Sequence, residues 1–232
     1  MLTGDVLKKI AINAFEELKN ISNDNKINCD IYIEKYVIDE ILKYCSDIVI
    51  ISEECGRIKF GKGIQSIVLD PIDGTGNYMR GIPIYSICIA LVNHNKLIID
   101  ENDIEYSIVV STFGIFEAYK GALGKTQVNV ESEFDKALIR RFGQGRMRLL
   151  GASSIELGLL ADGSIDAFID NDGLKLVDII PILLYLKNNN CIITDLQGYK
   201  LKFILDNPKN SDYKFIASRS KMLHKNILSR KL

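Results

Sequence analysis

The sequence predicts a layered fold of α+β or α/β type, and three observations carry that expectation. Two amphipathic helical stretches open the chain, short β-branched segments separated by turns fill its middle, and helices alternate with strands from Ser153 onward. With 232 residues the chain can bury a sizeable core, as one unit or as two lobes sharing an interface. One compact unit is expected. Residues 120–133 are the best junction if it divides into a lobe at 1–125 and a second at 126–232.

Residues 6–18 set Val6, Ile10, Ala14, Phe15 and Leu18 at helical spacing, and 30–44 do the same with Ile33, Val37, Ile38, Ile41 and Leu42. "DIVIIS" (47–52) and "QSIVLD" (65–70) are β-branched runs, and each hands over to acidic residues. "SICIALV" (86–92), "EYSIVVS" (105–111), "IFEAYK" (115–120) and "MRLLG" (147–151) read as strands of an antiparallel sheet with short turns. A helix at 153–161, a strand at 165–170, a helix at 179–186, a strand at 191–195 and a last helix from Lys221 complete the order. No internal repeat is present, and the only biased segment is the small cluster Asn188, Asn189 and Asn190.

Composition removes several function classes. At 47% hydrophobic and 25% charged residues the chain matches ordinary soluble globular usage, without disorder-like or collagen-like bias. The formal charge is −1, so no strong field draws it onto nucleic acid or an anionic membrane. The longest apolar runs fall well short of the roughly 20 residues of a membrane-spanning helix, and the first residues lack signal-peptide order. A cytoplasmic protein is expected. Five cysteines without Cys-x-x-Cys spacing and only two histidines make a structural zinc site improbable, so the thiols are read as buried and reduced. Carboxylate chemistry stays open.

Acidic side chains fall where strands meet turns or helices: Asp30 at a helix start, Glu53 with Glu54 after a strand, Asp70 with Asp73, and Asp178 before a helix. Taken singly, each has a bland explanation. Asp-x-x-Asp before Gly is usually a tight turn, paired glutamates are usually a wet loop, Thr75 can cap the next turn, and Asp178 is an acceptable N-cap with Pro181 in the first turn. Together they suit a hard cation such as Mg²⁺, which takes oxygen ligands and keeps waters for a phosphate to share. Adjacent carboxylates also resist joint ionisation unless a cation compensates them. In "DPID", Asp70 can bridge two ions, Asp73 can bind one, and the Ile72 carbonyl is left available. Gly74 and Thr75 then offer backbone amides to an anion.

"DPIDGT" (70–75), "SEE" (52–54), "GASSIELGLLADGSIDAF" (151–168) and "VDIIPI" (177–182) together resemble the inositol monophosphatase family of Mg²⁺-dependent sugar phosphatases, which includes archaeal enzymes acting on inositol phosphate and fructose bisphosphate. The resemblance runs from about Asp30 to the end. It implies an αβαβα sandwich, with metals between a metal-binding lobe and a substrate lobe, and two to three Mg²⁺ ions. Glu53, Asp70 and the Ile72 carbonyl match the ligands of a first ion, and Asp70, Asp73 and Asp178 those of a second. Glu53 would touch a third ion, with Glu54 behind it. Thr75, held by Asp30, would help activate the attacking water, and Asp73, Gly74 and Thr75 would contact the phosphate. Gly151, Ala152 and Ser153 would border the sugar, and Asp170 would bind its hydroxyls. A homodimer is implied as well.

The sequence departs from the family pattern around Asp178, where Val177, Ile179, Ile180 and Pro181 replace an aromatic residue and small neighbours. Bulkier neighbours would narrow the substrate end. The expected reaction is hydrolysis of a sugar or inositol phosphate monoester, inositol 1-phosphate or fructose 1,6-bisphosphate, by metal-activated water without a covalent intermediate. A second phosphate would call on Lys175, Arg146 or Arg148. The rival readings are a phosphatase for 3′-phosphoadenosine 5′-phosphate and an interaction protein that keeps the fold without useful catalysis.

Overall fold

The structure is a computed structural model, and it describes residues 2–21, 28–122, 149–210 and 212–229. Helix α1 (Gly4–Asn20) buries Leu7, Ile10, Ala14, Phe15 and Leu18, and α2 (Cys29–Leu42) buries Ile33, Val37 and Ile41. Both lie on one face of a six-stranded sheet. Its strands are β1 (Ile48–Ser52), β2 (Gly56–Lys59), β3 (Gln65–Asp73), β4 (Ser86–Val92), β6 (Ile104–Ser111) and β7 (Gly114–Tyr119). A short helix α3 (Thr75–Met79) follows β3, and a two-residue strand β5 (Ile98–Ile99) precedes β6.

The sheet order is β2-β1-β3-β4-β6-β7. Strands β1 and β3 run parallel, and every other neighbouring pair is antiparallel. Parallel pairing sets Ser52 opposite Leu69, so Glu53, just past β1, and Asp70, still within β3, stand at the same end of the sheet. Period-two alternation divides the apolar side chains between two cores. Ile48, Ile50, Ile67 and Leu69 pack toward α1 and α2, while Val49, Ile51 and Val68 pack toward the opposite helices. Burial on both faces explains why these strands read as continuous apolar runs rather than alternating ones.

The opposite layer is α4 (Ser153–Asp162) and α5 (Leu176–Asn188). Beyond it lies a three-stranded antiparallel sheet, β8 (Ala167–Leu174), β11 (Tyr213–Ser218) and β9 (Ile192–Asp195), in the order β8-β11-β9. Strand β10 (Phe203–Ile204) pairs with β5, a 3₁₀ turn spans Pro208–Asn210, and α6 (Lys221–Leu228) closes the outer face. The layers therefore run helix, sheet, helix, sheet, helix, the expected αβαβα sandwich. Leu157, Leu160, Ile180 and Leu184 of the middle helices share one core with Val68 and Phe116 on one side and Phe215 and Ala217 on the other. Residues from both sides of position 125 share that core. The junction proposed at 120–133 lies mostly outside the described residues.

Several local expectations are corrected. Asp70 to Asp73 is not a tight turn: it is the end of β3, where a register irregularity opposite β4 accommodates Pro71, and the chain reverses only at Gly74. Of the strand expected at 147–151, residues 149–151 are not extended, because the Leu150 and Gly151 N–H groups donate to Glu156 and Gly151 has φ +79. The strand expected to end at Asp170 continues to Leu174. Helix α5 begins at Leu176, so Asp178 is not its N-cap and Pro181 lies beyond the first turn. Strand β11, the centre of the second sheet, has no counterpart among the expected elements.

Candidate active site

Three aspartates converge where the carboxyl end of β3 meets the amino end of α5. One carboxylate oxygen from each of Asp70, Asp73 and Asp178 lies within 4.8 Å of the others. Each is anchored by N–H groups. Asp70 Oδ1 accepts from the Ile72 N–H at 3.0 Å, and Asp178 Oδ2 accepts from the N–H of Lys175, the N-cap of α5, at 2.8 Å. Asp73 is held by another element altogether. Its Oδ1 accepts from the Ser153 N–H at 3.1 Å, and its Oδ2 from the Ser154 N–H at 2.8 Å and the Ser154 hydroxyl at 2.5 Å. Helix α4 starts at Ala152, which has no capping side chain, so Asp73 satisfies the free N–H groups of its first turn.

Glu53 completes the acidic cluster electrostatically, although it is outside the three-aspartate group. Burial, then the charges of Asp178, Glu54, Asp30 and Asp73, push its carboxyl up to about 7. Asp178 is likewise pushed up to about 7, first by burial and then by Asp73, against the opposing Lys175 N–H. Burial and the same neighbours hold Asp70 well above the usual carboxylate range. Asp73 is raised by burial, and its bonds to Ser154 and Ser153 oppose that rise. Like charges gathered in a desolvated place favour a compensating cation. The donor set is all oxygen, each aspartate keeps lone pairs unspent, and the Ile72 carbonyl, which accepts from Thr75 at 2.8 Å, keeps a second lone pair. These residues fit a hard divalent cation such as Mg²⁺.

The other expected residues are distributed as follows. The Thr75 hydroxyl lies 2.8 Å from Asp30 Oδ1 and 2.8 Å from the Ile72 carbonyl, at the start of α3. Gly74 is the N-cap of that helix with φ +87, and an added Cβ would come 2.7 Å from the Ile84 carbonyl and 3.1 Å from the Ala152 Cβ. Only glycine satisfies both the backbone and the space. Glu54 faces Lys209 at 3.7 Å. The Gly151 N–H and the Ser153 N–H are engaged by Glu156 and Asp73, and the Ala152 side chain is buried with Ile84, Phe113 and Ile155. Asp170, half-buried on β8, accepts from the Gly173 N–H at 2.6 Å. Lys175 Nζ pairs with Asp212 at 2.5 Å, and Arg146 and Arg148 lie outside the described residues. All five cysteines are free, and only Cys29 and Cys88 are buried, the other three being half-buried.

Sequence reasoning did not single out Glu34, Glu156, Ser86 or Ser154. Buried Glu34 accepts from the Glu54 and Cys55 N–H groups at 3.1 Å each, and so fixes the turn that carries Glu53. A signal existed for it: Glu34 stands four residues after Asp30, on the same face of α2. Glu156 orders the approach to α4 through its bonds to Leu150 and Gly151.

Two buried aspartates, Asp70 and Asp73, and the half-buried Asp178 and Glu53 gather beside a left-handed glycine, an arrangement that suits a metal-dependent enzyme, and comparisons with known proteins agree. The model of the inositol monophosphatase family matches residues 4–99. The chain is 29% identical to a fructose-1,6-bisphosphatase/inositol-1-monophosphatase of Methanocaldococcus jannaschii over 75% of this chain and 74% of that protein. It is 31% identical to a bifunctional NADP phosphatase/NAD kinase of Methanococcus maripaludis over 86% of this chain, but spans only 41% of that relative's length. A solved inositol monophosphatase–fructose 1,6-bisphosphatase superposes with a TM-score of 0.78 at 25% identity, covering 99% of both chains. An extragenic suppressor from Pyrococcus furiosus superposes with a TM-score of 0.76 at 21% identity, over 95% of this chain and 97% of that one. The chain is thus similar in sequence and in fold to proteins of the inositol monophosphatase family.

Proposed function

We propose that the protein is a Mg²⁺-dependent phosphate monoester hydrolase acting on a sugar or inositol phosphate, and that Asp70, Asp73, Asp178, Glu53 and the Ile72 carbonyl hold two to three ions. The observation that carries this reading is the convergence of buried Asp70 and Asp73 with half-buried Asp178 within 4.8 Å, an oxygen-only donor set. Bound Mg²⁺ would supply charge stabilisation and a more acidic water. The chain's own residues do the rest. Thr75 has a single hydroxyl hydrogen, directed to Asp30 or to Ile72, so its oxygen keeps lone pairs to accept a hydrogen from the attacking water and orient it. The phosphate would be met by the backbone N–H groups of Gly74 and Thr75, where α3 begins. Asp170 on β8 is offered to the substrate's hydroxyl groups, beside the Gly151–Ser153 approach. Glu54 acts behind Glu53.

One finding favours a second substrate reading, a nucleotide carrying a phosphate monoester: the relative from Methanococcus maripaludis is named an NADP phosphatase. A panel of inositol 1-phosphate, fructose 1,6-bisphosphate, NADP and 3′-phosphoadenosine 5′-phosphate, assayed with and without Mg²⁺, separates the two. Mg²⁺-dependent phosphate release from either sugar ester supports the leading reading, and release confined to the nucleotides supports the second. No release from any of them, with Mg²⁺ still bound, points to an interaction protein. Light scattering tests the homodimer implied by the family.

A further inference from the structure

We propose that Ser154 is a positioning residue for Asp73, its hydroxyl tying down Oδ2 so that Oδ1 is the oxygen left for a cation. The inference rests on the metal-site reading given above. Ser154, Ser86 and Cys88 have no exposed surface, and Asp73 is 7% exposed. Around Asp73 they form a closed polar group between β4 and α4. The Ser154 hydroxyl lies 2.5 Å from Asp73 Oδ2, 2.8 Å from the Ser86 hydroxyl and 3.3 Å from Cys88 Sγ.

Counting hydrogens fixes the direction of each bond. A serine hydroxyl has one hydrogen and two lone pairs. The shortest contact takes that hydrogen to the carboxylate, as expected for a charge-assisted bond. Ser86 must then donate to Ser154, and the Cys88 thiol donates to its second lone pair. Ser86 also lies 3.5 Å from Asp73 Oδ2, too far to compete. Both donors polarise the Ser154 hydroxyl toward Asp73, so the bond gains from the chain behind it. Oδ2 thus receives the Ser154 N–H and O–H together, and its acceptor capacity is used. Oδ1 has one good donor, the Ser153 N–H at 3.1 Å, with the Ser153 hydroxyl at a marginal 3.5 Å.

Capping of α4 does not account for the hydroxyl. The N–H groups of Ser153 and Ser154 would meet Asp73 equally well with alanine at position 154. Burying three polar side chains in a row costs free energy unless all are satisfied. Asp70 and Asp178, by contrast, accept one backbone N–H each and otherwise meet each other. The extra hydroxyl therefore serves the aim of Asp73.

Calorimetric titration of Mg²⁺ into the metal-free Ser154→Ala protein tests this directly, because alanine keeps the backbone bonds and the helix. The expected result is a Mg²⁺ dissociation constant raised about tenfold or more, in the range typical when a partner behind a metal ligand is lost. The Mg²⁺ concentration for half-maximal phosphate release should rise in parallel, while KM for the ester at saturating Mg²⁺ stays near the wild-type value. Unchanged Mg²⁺ affinity in folded Ser154→Ala overturns the inference, whether or not the melting temperature falls. If that variant does not fold, Ser86→Ala, which removes the donor behind Ser154, should weaken Mg²⁺ binding by about threefold, and unchanged affinity there overturns it equally. Wild-type protein that binds no Mg²⁺ would instead defeat the metal-site reading itself.

Discussion

Asp73 and Asp178 reach the same cluster by opposite construction. Asp178 is held locally, by the Lys175 N–H three residues away at the start of its own helix. Asp73 is held across the chain, by Ser153 and Ser154 on α4, eighty and eighty-one residues distant. Anything that leaves α5 helical leaves Asp178 in place. Asp73 is in place only when β3, β4 and α4 have docked. The acidic cluster is thus also a report on whether the sheet and the middle helices have come together.

Asp73→Asn should break the comparison most severely. Asparagine cannot supply the ligand charge, so phosphate release should fall by about a thousandfold, the scale for losing one preorganised electrostatic group, with an unchanged circular dichroism spectrum. Next comes Gly74→Ala, at the turn where β3 hands over to α3. Its Cβ would sit 2.7 Å from the Ile84 carbonyl with φ at +87. The left-handed conformation and the overpacking together should cost about 3 kcal/mol, read by denaturant unfolding.

Glu34→Ala tests the α2 side of the site, where a side chain rather than a helix start does the anchoring. Freeing the Glu54 and Cys55 N–H groups should loosen the Glu53 turn and weaken Mg²⁺ binding about tenfold. A further test concerns pH. Glu53 and Asp178 are pushed up to about 7 in the metal-free fold, above ordinary values of 4.5 and 3.8. Between those limits the native state holds protons that the unfolded chain has released, so unfolding free energy falls as pH rises. This contribution is fully present below about pH 4 and lost as pH passes through about 7. Melting temperatures of the metal-free protein should therefore drop from acid toward neutral pH. Mg²⁺ should reverse the slope.

What the sequence made legible follows the same local and distant division. The helices at α1, α2 and α4 and the strands at β1, β4 and β6 carry enough apolar periodicity to be read from a short window. So do the carboxylates that end strands or open helices, Glu53, Asp70, Asp73 and Asp178. Elements whose identity depends on a partner were missed. "YKFIAS" becomes the central strand β11 because β8 and β9 flank it, and "DPID" stays in β3 because β4 accommodates its irregular register. Ser154 and Ser86 look like ordinary small polar residues until the fold buries them against Asp73. Glu34 was readable as a carboxylate one helical turn from Asp30, but its target, the Glu54 turn, lies twenty residues away.

Titration of Mg²⁺ into metal-free wild-type protein and into Asp70→Asn, near neutral pH in two buffers of different protonation enthalpy, tests most directly whether β3 and α5 build a cation site. Saturable binding by the wild type, with protons released as Glu53 and Asp178 give up theirs, and binding weakened in Asp70→Asn, is the expected result. No Mg²⁺ binding by the wild type, or equal binding by Asp70→Asn, would contradict it.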